Sequence, residues 1–446
     1  MGRTLKHVIV IGASLAGSCA ARVLSEVADE VSVLDRDALP DQPKQRPGVP
    51  QGRHVHLLMA RGAQEFETLF PGLLDDMVAA GVPILENRPD CIHFGAAGHV
   101  LGTQHTLQDE FTAYVPSRPH LEWQLRTRVM RLPNVTVTHC GVDQPVFDRR
   151  RVVGVRTDGG ATLRADLVVD ATGRGTRLPV WLEQWGFARP PEETVQVGIA
   201  YASVALQIPD GSIAGKVVVA GASRDQPLGL GMLCYEDGTW GLTTFGVGKV
   251  LPPNDFEAMM DLAEQLLPTH IVAALRQARP VSDSAMHKYP TSRWRRYDKL
   301  EHFPDGILPF GDSVASFNPT FGQGMTMVSL QAHPLRQALQ GPPDEMATTF
   351  LRATAKTTYP VWMMNAIGDL TLHRAEGAAP WWYQPVGALF DQFLGAAETD
   401  PILAEWFLRR FSLLDSLYMV PSAKLIARTV RHNLGLWAAE RRPIPV

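Results

Sequence analysis

Apolar, β-branched segments alternate with helical segments at the start of the chain, and this pattern predicts a parallel sheet. Residues 7–11 form an apolar strand, a short turn follows, and an alanine-rich helix extends to about Ala28. A second apolar strand, residues 31–34, ends at Asp35. A strand, a helix and a strand within about thirty residues form a βαβ unit, which has parallel strands and a right-handed crossover.

Two further apolar runs predict more strands of the same sheet. Residues 166–170 form a continuous apolar run, which is typical of a strand buried on both faces. A shorter run at 307–310 directly precedes Gly311 and Asp312. We therefore expect the strands of this sheet to be contributed by distant parts of the chain.

The middle and the end of the chain have different patterns. From Thr194 to about Val247, apolar and polar residues alternate with frequent glycines, which predicts an antiparallel sheet. Residues 255–277 are predicted to be helical, and beyond Gly322 the chain is predominantly helical. The predicted fold is α/β: a discontinuous Rossmann-type nucleotide-binding domain, an inserted antiparallel β-sheet substrate domain and a helical C-terminal region. The expected boundaries are 1–80, 115–180 and 295–345 for the nucleotide-binding domain, 81–114 and 181–294 for the substrate domain, and 346–446 for the helical region.

Composition and charge exclude several classes of protein. The 446 residues are 45% hydrophobic and 20% charged, with a net charge of −4, so nothing favours nucleic acid as a partner. No apolar run reaches the roughly 18 residues that a transmembrane helix needs. The four cysteines have no paired or CxxC spacing, which favours a reduced, cytoplasmic protein without zinc or disulfides. They are Cys19, Cys91, Cys140 and Cys234.

The turn after the first strand carries candidate nucleotide-binding chemistry. Gly12-x-Ser14-x-x-Gly17 departs from GxGxxG only at its second position, where serine is the smallest polar substitute. In such a motif the glycines allow a tight turn and a close approach of helix and strand, and the pyrophosphate lies at the helix N-terminus. Asp35, at the tip of the next strand, is placed to bind ribose hydroxyls. Together these features favour dinucleotide binding over a glycine turn that serves packing alone.

Two later segments complete a set of three. Residues 170–174 (DATGR) follow a buried strand with a small-residue turn. Residues 311–325 bring an acid, Asp312, from a strand into a loop that returns through two glycines to a helix start. Such a helix start can stabilise negative charge on a ring that accepts electrons.

In this order the three motifs resemble the FAD-binding segments of the flavoprotein monooxygenases that have the p-hydroxybenzoate hydroxylase fold. The likeness is closer to squalene epoxidase and the bacterial polyether epoxidases, through residues 46–56 and 317–325. The resemblance implies FAD as cofactor, with NAD(P)H as the electron donor. It assigns to FAD Gly12, Ser14 and Gly17 at the pyrophosphate, Asp35 at the adenosine ribose, Arg36 beside the adenine, Arg118 near the phosphates and ribityl chain, Asp312 at the ribityl hydroxyls, and Gly322, Gly324 and Met325 along the isoalloxazine.

The same resemblance implies a catalytic activity. Arg46 and Pro319 are expected to flank the flavin and the mouth of the active site. The implied reaction is epoxidation or hydroxylation of a lipophilic, polyketide- or terpenoid-like substrate by molecular oxygen, through a flavin C4a-hydroperoxide. Aromatic and methionine residues of the β-rich and helical segments, such as Met232 and Trp240, are as a group candidates for an apolar cavity, although core packing is the favoured explanation for any single one of them.

One departure from the family leaves other functions open. Phenol hydroxylases carry an Asp-Gly pair in the second motif, whereas this chain has Thr172-Gly173 with Asp170 earlier, so the hydride donor is uncertain. One alternative is a non-redox cyclase in which FAD only shapes the cavity. A second is a flavin-dependent double-bond reductase, whose product gains two hydrogens and no oxygen.

Overall fold

A computed structural model describes residues 5–86, 92–103, 112–372, 375–377, 381–416, 418 and 420–440. Cys91 lies outside these ranges, and the other three cysteines are free thiols. The chain divides into two compact units, each assembled from three segments. The first unit comprises Met1–Ala80, Pro116–Thr194 and Ser292–Trp362, and the second comprises Gly81–Val115, Val195–Thr291 and Met363–Val446.

Strands and helices alternate through the first part of the chain, and helices dominate its end. The described strands are β1 (Leu5–Ile11), β2 (Ala28–Asp35), β3 (Ile84–Leu85), β4 (Ile92–Ala96), β5 (His99–Val100), β6 (Ala113–Tyr114), β7 (Val135–His139), β8 (Val142–Asp148), β9 (Arg151–Thr157), β10 (Thr162–Arg164), β11 (Leu167–Asp170), β12 (Glu192–Gln207), β13 (Val217–Ala220), β14 (Leu228–Cys234), β15 (Trp240–Gly246), β16 (Arg279–Pro280), β17 (Ala285–Arg295), β18 (Ile307–Pro309), β19 (Ala315–Ser316) and β20 (Glu376–Gly377). The described helices are α1 (Leu15–Leu24), α2 (Ala60–Leu69), α3 (Leu73–Ala79), α4 (Arg118–Met130), α5 (Leu178–Gln184), α6 (Phe256–Leu266), α7 (Thr269–Leu275), α8 (Gly324–Leu330), α9 (Ala332–Gln340), α10 (Met346–Leu372), α11 (Tyr383–Ala397), α12 (Pro401–Phe411) and α13 (Ala423–Glu440).

The first unit is built around a parallel sheet with the strand order β18-β11-β1-β2-β7. Every pair of neighbours in it runs parallel. The central strand β1 has no exposed surface at Val8, Ile9 and Val10, because layers cover both faces of the sheet. Helix α1 packs against β1 and β2 and also contacts α4, α8 and α9, whereas β9 of the antiparallel sheet β10-β9-β8 contacts β11. The predicted α/β fold with a parallel sheet is confirmed.

One predicted helix boundary was wrong and one predicted helical segment is divided, for local reasons. Helix α1 ends at Leu24 rather than near Ala28, because Ser25 closes it and the chain enters β2 at Ala28, opposite Leu5 of β1. The segment predicted to be helical, residues 255–277, contains two helices, α6 and α7, since Pro268 lies between them and a proline lacks the N–H group that a continuous helix needs.

The second unit contains the predicted antiparallel sheet, in which β12, β15, β14 and β13 are consecutive neighbours. Helices α6 and α7 cover one face of it and form a core with residues such as Leu206, Leu230 and Leu242. Met232 and Trp240 belong to this core, so the packing explanation is correct for both.

The C-terminal helices do not form a unit of their own. The first part of α10 belongs to the first unit, where Phe350 stacks on Phe310 with ring centroids 6.2 Å apart. In the second unit, α11 contacts both α12 and α13, and Phe411 of α12 meets Phe94 of β4 edge-on. Among the helices of the described ranges, none is long and apolar enough to cross a membrane.

The β1–α1 turn gives a test of the fold. A Cβ atom on Gly17 would lie 1.7 Å from the carbonyl oxygen of Gly12, which is backbone and cannot move aside. We expect Gly17→Ala to lower the free energy of unfolding by at least about 2 kcal/mol, measured by urea denaturation. Gly175→Ala is the control, because a Cβ there meets no atom within 4 Å. Equal stability of the two variants would contradict this account of the turn.

Candidate cofactor site

The β1–α1 turn lies where the parallel strands end, which is the edge at which open α/β sheets bind ligands. Gly12 has a φ of +103°, and a Cβ on it would lie 2.7 Å from the carbonyl oxygen of Ala171, just beyond β11. The amide of Gly12 donates to the carbonyl of Leu34 at 2.7 Å. Only a glycine accommodates both this conformation and this approach. The first motif is therefore pressed against the second.

The third motif reaches the same place. Gly311 has a φ of +70°, and a Cβ there would lie 2.7 Å from the Cβ of Ala16 in the first turn of α1. Ser313 is tied to the second motif, because its hydroxyl accepts from the amide of Gly173 at 3.1 Å. The three motifs that the sequence singled out are thus neighbours in the structure.

Asp35 follows the turn at the end of β2 and is buried. Its Oδ2 accepts from the amide of Ala13 at 2.7 Å and its Oδ1 from the amide of Asp37 at 2.9 Å. Arg46 Nη1 approaches both oxygens, at 3.2 and 3.3 Å. These contacts use most of the acceptor capacity of the carboxylate, so a ribose hydroxyl would take the place of the two longer ones. Arg36, predicted beside the adenine, has an exposed side chain.

Arg46 lies beside Asp35, and this bears on its predicted catalytic role. The guanidinium is buried, and besides Asp35 it contacts Asp37 at 3.0 Å and Glu122 at 3.2 Å. Burial works to lower the pKa of Arg46, but the carboxylates Glu122 and Asp35 outweigh it and raise that pKa. All these contacts lie at the Asp35 end of the site. The expectation that Arg46 flanks the flavin ring therefore gains no support from them.

Glu122, on α4, connects Arg46 to Arg118. Its Oε1 accepts from Arg118 Nε at 3.0 Å and from the Ser14 hydroxyl at 2.5 Å, while Arg118 Nη2 donates to the same hydroxyl at 3.1 Å. The Ser14 hydroxyl, which the sequence offered to a phosphate, is thus bonded to Glu122. Burial works to raise the pKa of Glu122, but Arg118 and Arg46 outweigh it and hold that pKa below its ordinary value.

The guanidinium groups of Arg46 and Arg118 each have one terminal nitrogen that could bind a ligand. Within the part of the chain that the structure describes, Arg46 Nη2 and Arg118 Nη1 have no hydrogen-bond partner. Cationic donors beside the N-terminus of α1 suit a diphosphate, and a carboxylate at the end of β2 suits a ribose. The donor set of the site therefore fits the adenosine diphosphate part of FAD.

Asp312 lies in a one-turn 3₁₀ helix after β18. Burial raises the pKa of Asp312 to about 6, although Arg118, Arg174 and Arg295 act against this shift. Arg295 is itself 3% exposed and holds the surrounding backbone, since it donates to the carbonyl groups of Ser313 and Arg174 at 3.3 and 2.8 Å.

The loop from Pro319 to Met325 leads into α8. Pro319 is exposed, Gly322 has a φ of +69°, and Met325 is buried. A Cβ on Gly324 would meet no atom within 4 Å, so there is open space beside the start of α8. This space agrees with the expectation that a ring lies along the backbone there, although the predicted contacts with the isoalloxazine stay predictions.

Two histidines precede α2 and have different environments. His54 is buried, and His56 Nδ1 is 2.8 Å from the carbonyl oxygen of His54. Burial, aided by the charge of Arg118, lowers the pKa of His56 to about 4, so the imidazole is neutral at pH 7. His56 therefore lies in the electrostatic field of the site and adds no charge to it.

Sequence reasoning missed Glu122 and Arg295. The available signal for Glu122 was its i,i+4 spacing from Arg118, which puts both side chains on one face of a helix. Arg295 lies in a basic and aromatic run, residues 293–297 (RWRRY), and nothing in that run indicates its hydrogen bonds to three backbone carbonyls. In the described ranges no group of three or more His, Cys, Asp or Glu side chains could hold a metal ion.

Comparison with known proteins identifies the family of this chain. The chain is 65% identical to protein Rv3254 of Mycobacterium tuberculosis, over 99% of this chain and 97% of that protein. This chain belongs to the Rv3254 family. A family model described as the Mycobacterium Rv3254 C-terminal domain matches residues 377–443. Another relative is the kynurenine 3-monooxygenase of Salinispora arenicola, 26% identical over 78% of this chain and 75% of that enzyme.

Solved structures with a similar fold were also found. The flavin-dependent brominase Bmp2 aligns with a TM-score of 0.63 over 98% of this chain and 100% of its own, at 15% identity. PqsL of Pseudomonas aeruginosa, described as a probable FAD-dependent monooxygenase, aligns at 0.61 over 87% and 100%, at 14% identity. The Diels-Alderase PyrE3 aligns at 0.62 over 92% and 81%, at 17% identity. The chain therefore has the fold of flavin-dependent monooxygenases and halogenases.

The raised pKa of Asp312 gives a pH test. Because the folded protein disfavours the Asp312 carboxylate, this group contributes less stability as the pH rises from about 4 through about 6. We expect the free energy of unfolding of flavin-free Asp312→Asn, relative to wild type, to increase over this range by on the order of 1–2 kcal/mol and then to level off.

The matched control for this test is Asp225→Asn, which changes an exposed carboxylate in a loop. Urea denaturation at several pH values measures all three proteins. Parallel curves for wild type and Asp312→Asn would show that burial does not disfavour the Asp312 carboxylate.

Proposed function

We propose that the protein is a FAD-dependent monooxygenase that epoxidises or hydroxylates a lipophilic, polyketide- or terpenoid-like substrate. The convergence of the three motifs at one sheet edge carries this proposal. It is supported by the fold and by the kynurenine 3-monooxygenase relative. We also propose that the protein is most similar in function to squalene epoxidase and the bacterial polyether epoxidases, on the basis of residues 46–56 and 317–325.

The residues that would hold FAD follow from the site. Gly12 and Gly17 allow the tight turn that would present the start of α1 to the diphosphate, Asp35 would bind the adenosine ribose and Asp312 the ribityl hydroxyls. Pro319, Gly322, Gly324 and Met325 would line the ring, with Arg46 and the loop through His56 at the mouth of the active site. When bound, the flavin supplies electron transfer and oxygen activation. The protein supplies orientation, positive charge at the diphosphate and exclusion of water.

The substrate class is supported by one face of the sheet in the second unit. Ala202 and Val204 of β12 belong to the core with α6 and α7, so Tyr201 and Ser203 point to the opposite face. Phe245 lies opposite Tyr201 in the register of β12 and β15, and the hydroxyls of Ser203 and Thr243 are 2.5 Å apart. We propose that this face, with the rings of Tyr201 and Phe245 and the hydroxyl pair of Ser203 and Thr243, contacts the substrate.

A purified sample gives the first test. We expect a yellow protein whose flavin spectrum is bleached by NADH or NADPH, and squalene serves as the lipophilic probe substrate. Incorporation of one atom from isotopically labelled oxygen gas into the probe would support monooxygenation. A colourless protein that cannot be reconstituted with FAD would contradict the cofactor assignment.

A second candidate function, a non-redox cyclase, is favoured by the environment of Asp170. This carboxylate is fully buried and accepts hydrogen bonds from Thr172 and Thr176, so it is committed to its own turn. The acid of the second motif is therefore not available to a nicotinamide donor. The structural similarity to the Diels-Alderase PyrE3 is compatible with a cyclase. Conversion of a polyene probe without oxygen or reductant would favour the cyclase and exclude oxygenation.

Arg118 tests the proposed diphosphate site. We expect Arg118→Ala to weaken FAD binding about ten- to a hundredfold, because a charge-assisted donor to the diphosphate is lost. Fluorescence titration of flavin-free protein measures the Kd. Arg128→Ala is the control, since Arg128 lies on the same helix but bonds to Gln124 and Asp76. Equal affinity of the two variants for FAD would show that Arg118 does not bind the diphosphate.

A further inference from the structure

Glu122 is a buried acid at a site proposed to bind an anion, and this needs an explanation. Its side chain is 5% exposed, and it lies beside the Ser14 hydroxyl at the start of α1. A carboxylate placed there would repel a diphosphate unless its charge were already offset. The neighbouring cations Arg46 and Arg118 provide that offset, one at each of its oxygens.

The way in which Glu122 binds the two arginines leaves each of them ready for a ligand. It engages both through Nε, Arg118 on one carboxylate oxygen at 3.0 Å and Arg46 on the other at 3.2 Å. Each guanidinium is held at a second point that the ribose does not displace, Arg46 Nη1 by Asp37 at 3.0 Å and Arg118 Nη2 by Ser14 at 3.1 Å. The remaining terminal nitrogen of each has no partner among the described residues. A planar group fixed at two points presents its third nitrogen in a set direction.

We propose that Glu122 is a positioning residue for the diphosphate of FAD, which it serves by fixing the guanidinium groups of Arg46 and Arg118. This inference rests on the proposed function, since it assumes that FAD is the ligand. It explains why an acid stands beside an anion site: the site loses less conformational freedom on binding when its cations are already ordered. A carboxylate can bridge two Nε–H donors, whereas the isosteric amide of glutamine offers only one acceptor oxygen.

The main test compares FAD and ADP binding in Glu122→Gln. Flavin is removed from the purified holoprotein, FAD rebinding is followed by fluorescence quenching, and ADP is measured by competition. We expect both Kd values to rise by a similar factor, about ten- to a hundredfold, because ADP contains the groups that the two arginines face. In an Arg118→Ala background the same substitution should raise the FAD Kd by a clearly smaller factor than in wild type, since only Arg46 then remains for Glu122 to fix.

Glu65→Gln is the matched control for lost stability. Glu65 is a comparably buried acid in the same unit, paired with Arg61 at 2.7 Å and His333 at 2.6 Å. We expect both variants to melt at a lower temperature, but only Glu122→Gln to lose FAD and ADP affinity. Glu122→Asp, which keeps the charge but is one methylene shorter, should recover part of the affinity, and it replaces Glu122→Gln if the latter does not fold.

Several results would overturn the inference. Unchanged or tighter FAD binding by Glu122→Gln would show that the acid does not order the site. A loss of FAD affinity without a loss of ADP affinity would show that Glu122 acts at the ring end of FAD. Fully additive effects of Glu122→Gln and Arg118→Ala would show that Glu122 does not act through Arg118. A wild-type protein that binds neither FAD nor ADP would instead contradict the proposed function itself.

Discussion

The candidate site depends on the close approach of backbone segments where the strands of the first unit end. The carbonyl of Ala171 lies where a side chain on Gly12 would be, and the first turn of α1 lies where a side chain on Gly311 would be. These contacts bring three distant parts of the chain to one edge. At the same edge, Asp35 and the guanidinium groups of Arg46 and Arg118 lie beside the start of α1.

The parts of the molecule that the sequence predicted correctly are those encoded over short distances. An apolar run flanked by a glycine turn determines a buried parallel strand almost alone, and strict alternation determines an antiparallel one. The positions of Gly12, Gly17 and Gly311 were informative because a side chain at each would collide with backbone or with α1. Helix ends were less predictable, since Ser25 and Pro268 end their helices within otherwise helical patterns.

The rest of the site depends on side chains that meet only after folding. Arg46 and Glu122 are 76 positions apart, and no local pattern indicates that they pair. The Arg118–Glu122 spacing was visible, but the same spacing is common on exposed helix surfaces, where it carries no function. Alternation in β12 predicted two faces of a sheet, yet it could not say which face α6 and α7 would cover. For this reason the sequence favoured core packing for Met232 and Trp240 without excluding a cavity.

The strand order of the first unit has a consequence for synthesis on the ribosome. Strand β18 pairs with β11, although the chain between them builds the sheet of the second unit. Until residue 307 has emerged, β11 is therefore an open edge, and an unpaired edge strand invites pairing with other chains. Contacts between such distant segments also form slowly. The nascent chain is thus exposed to misassociation while the residues between β11 and β18 are translated, a period during which chaperone binding at β11 would be most useful.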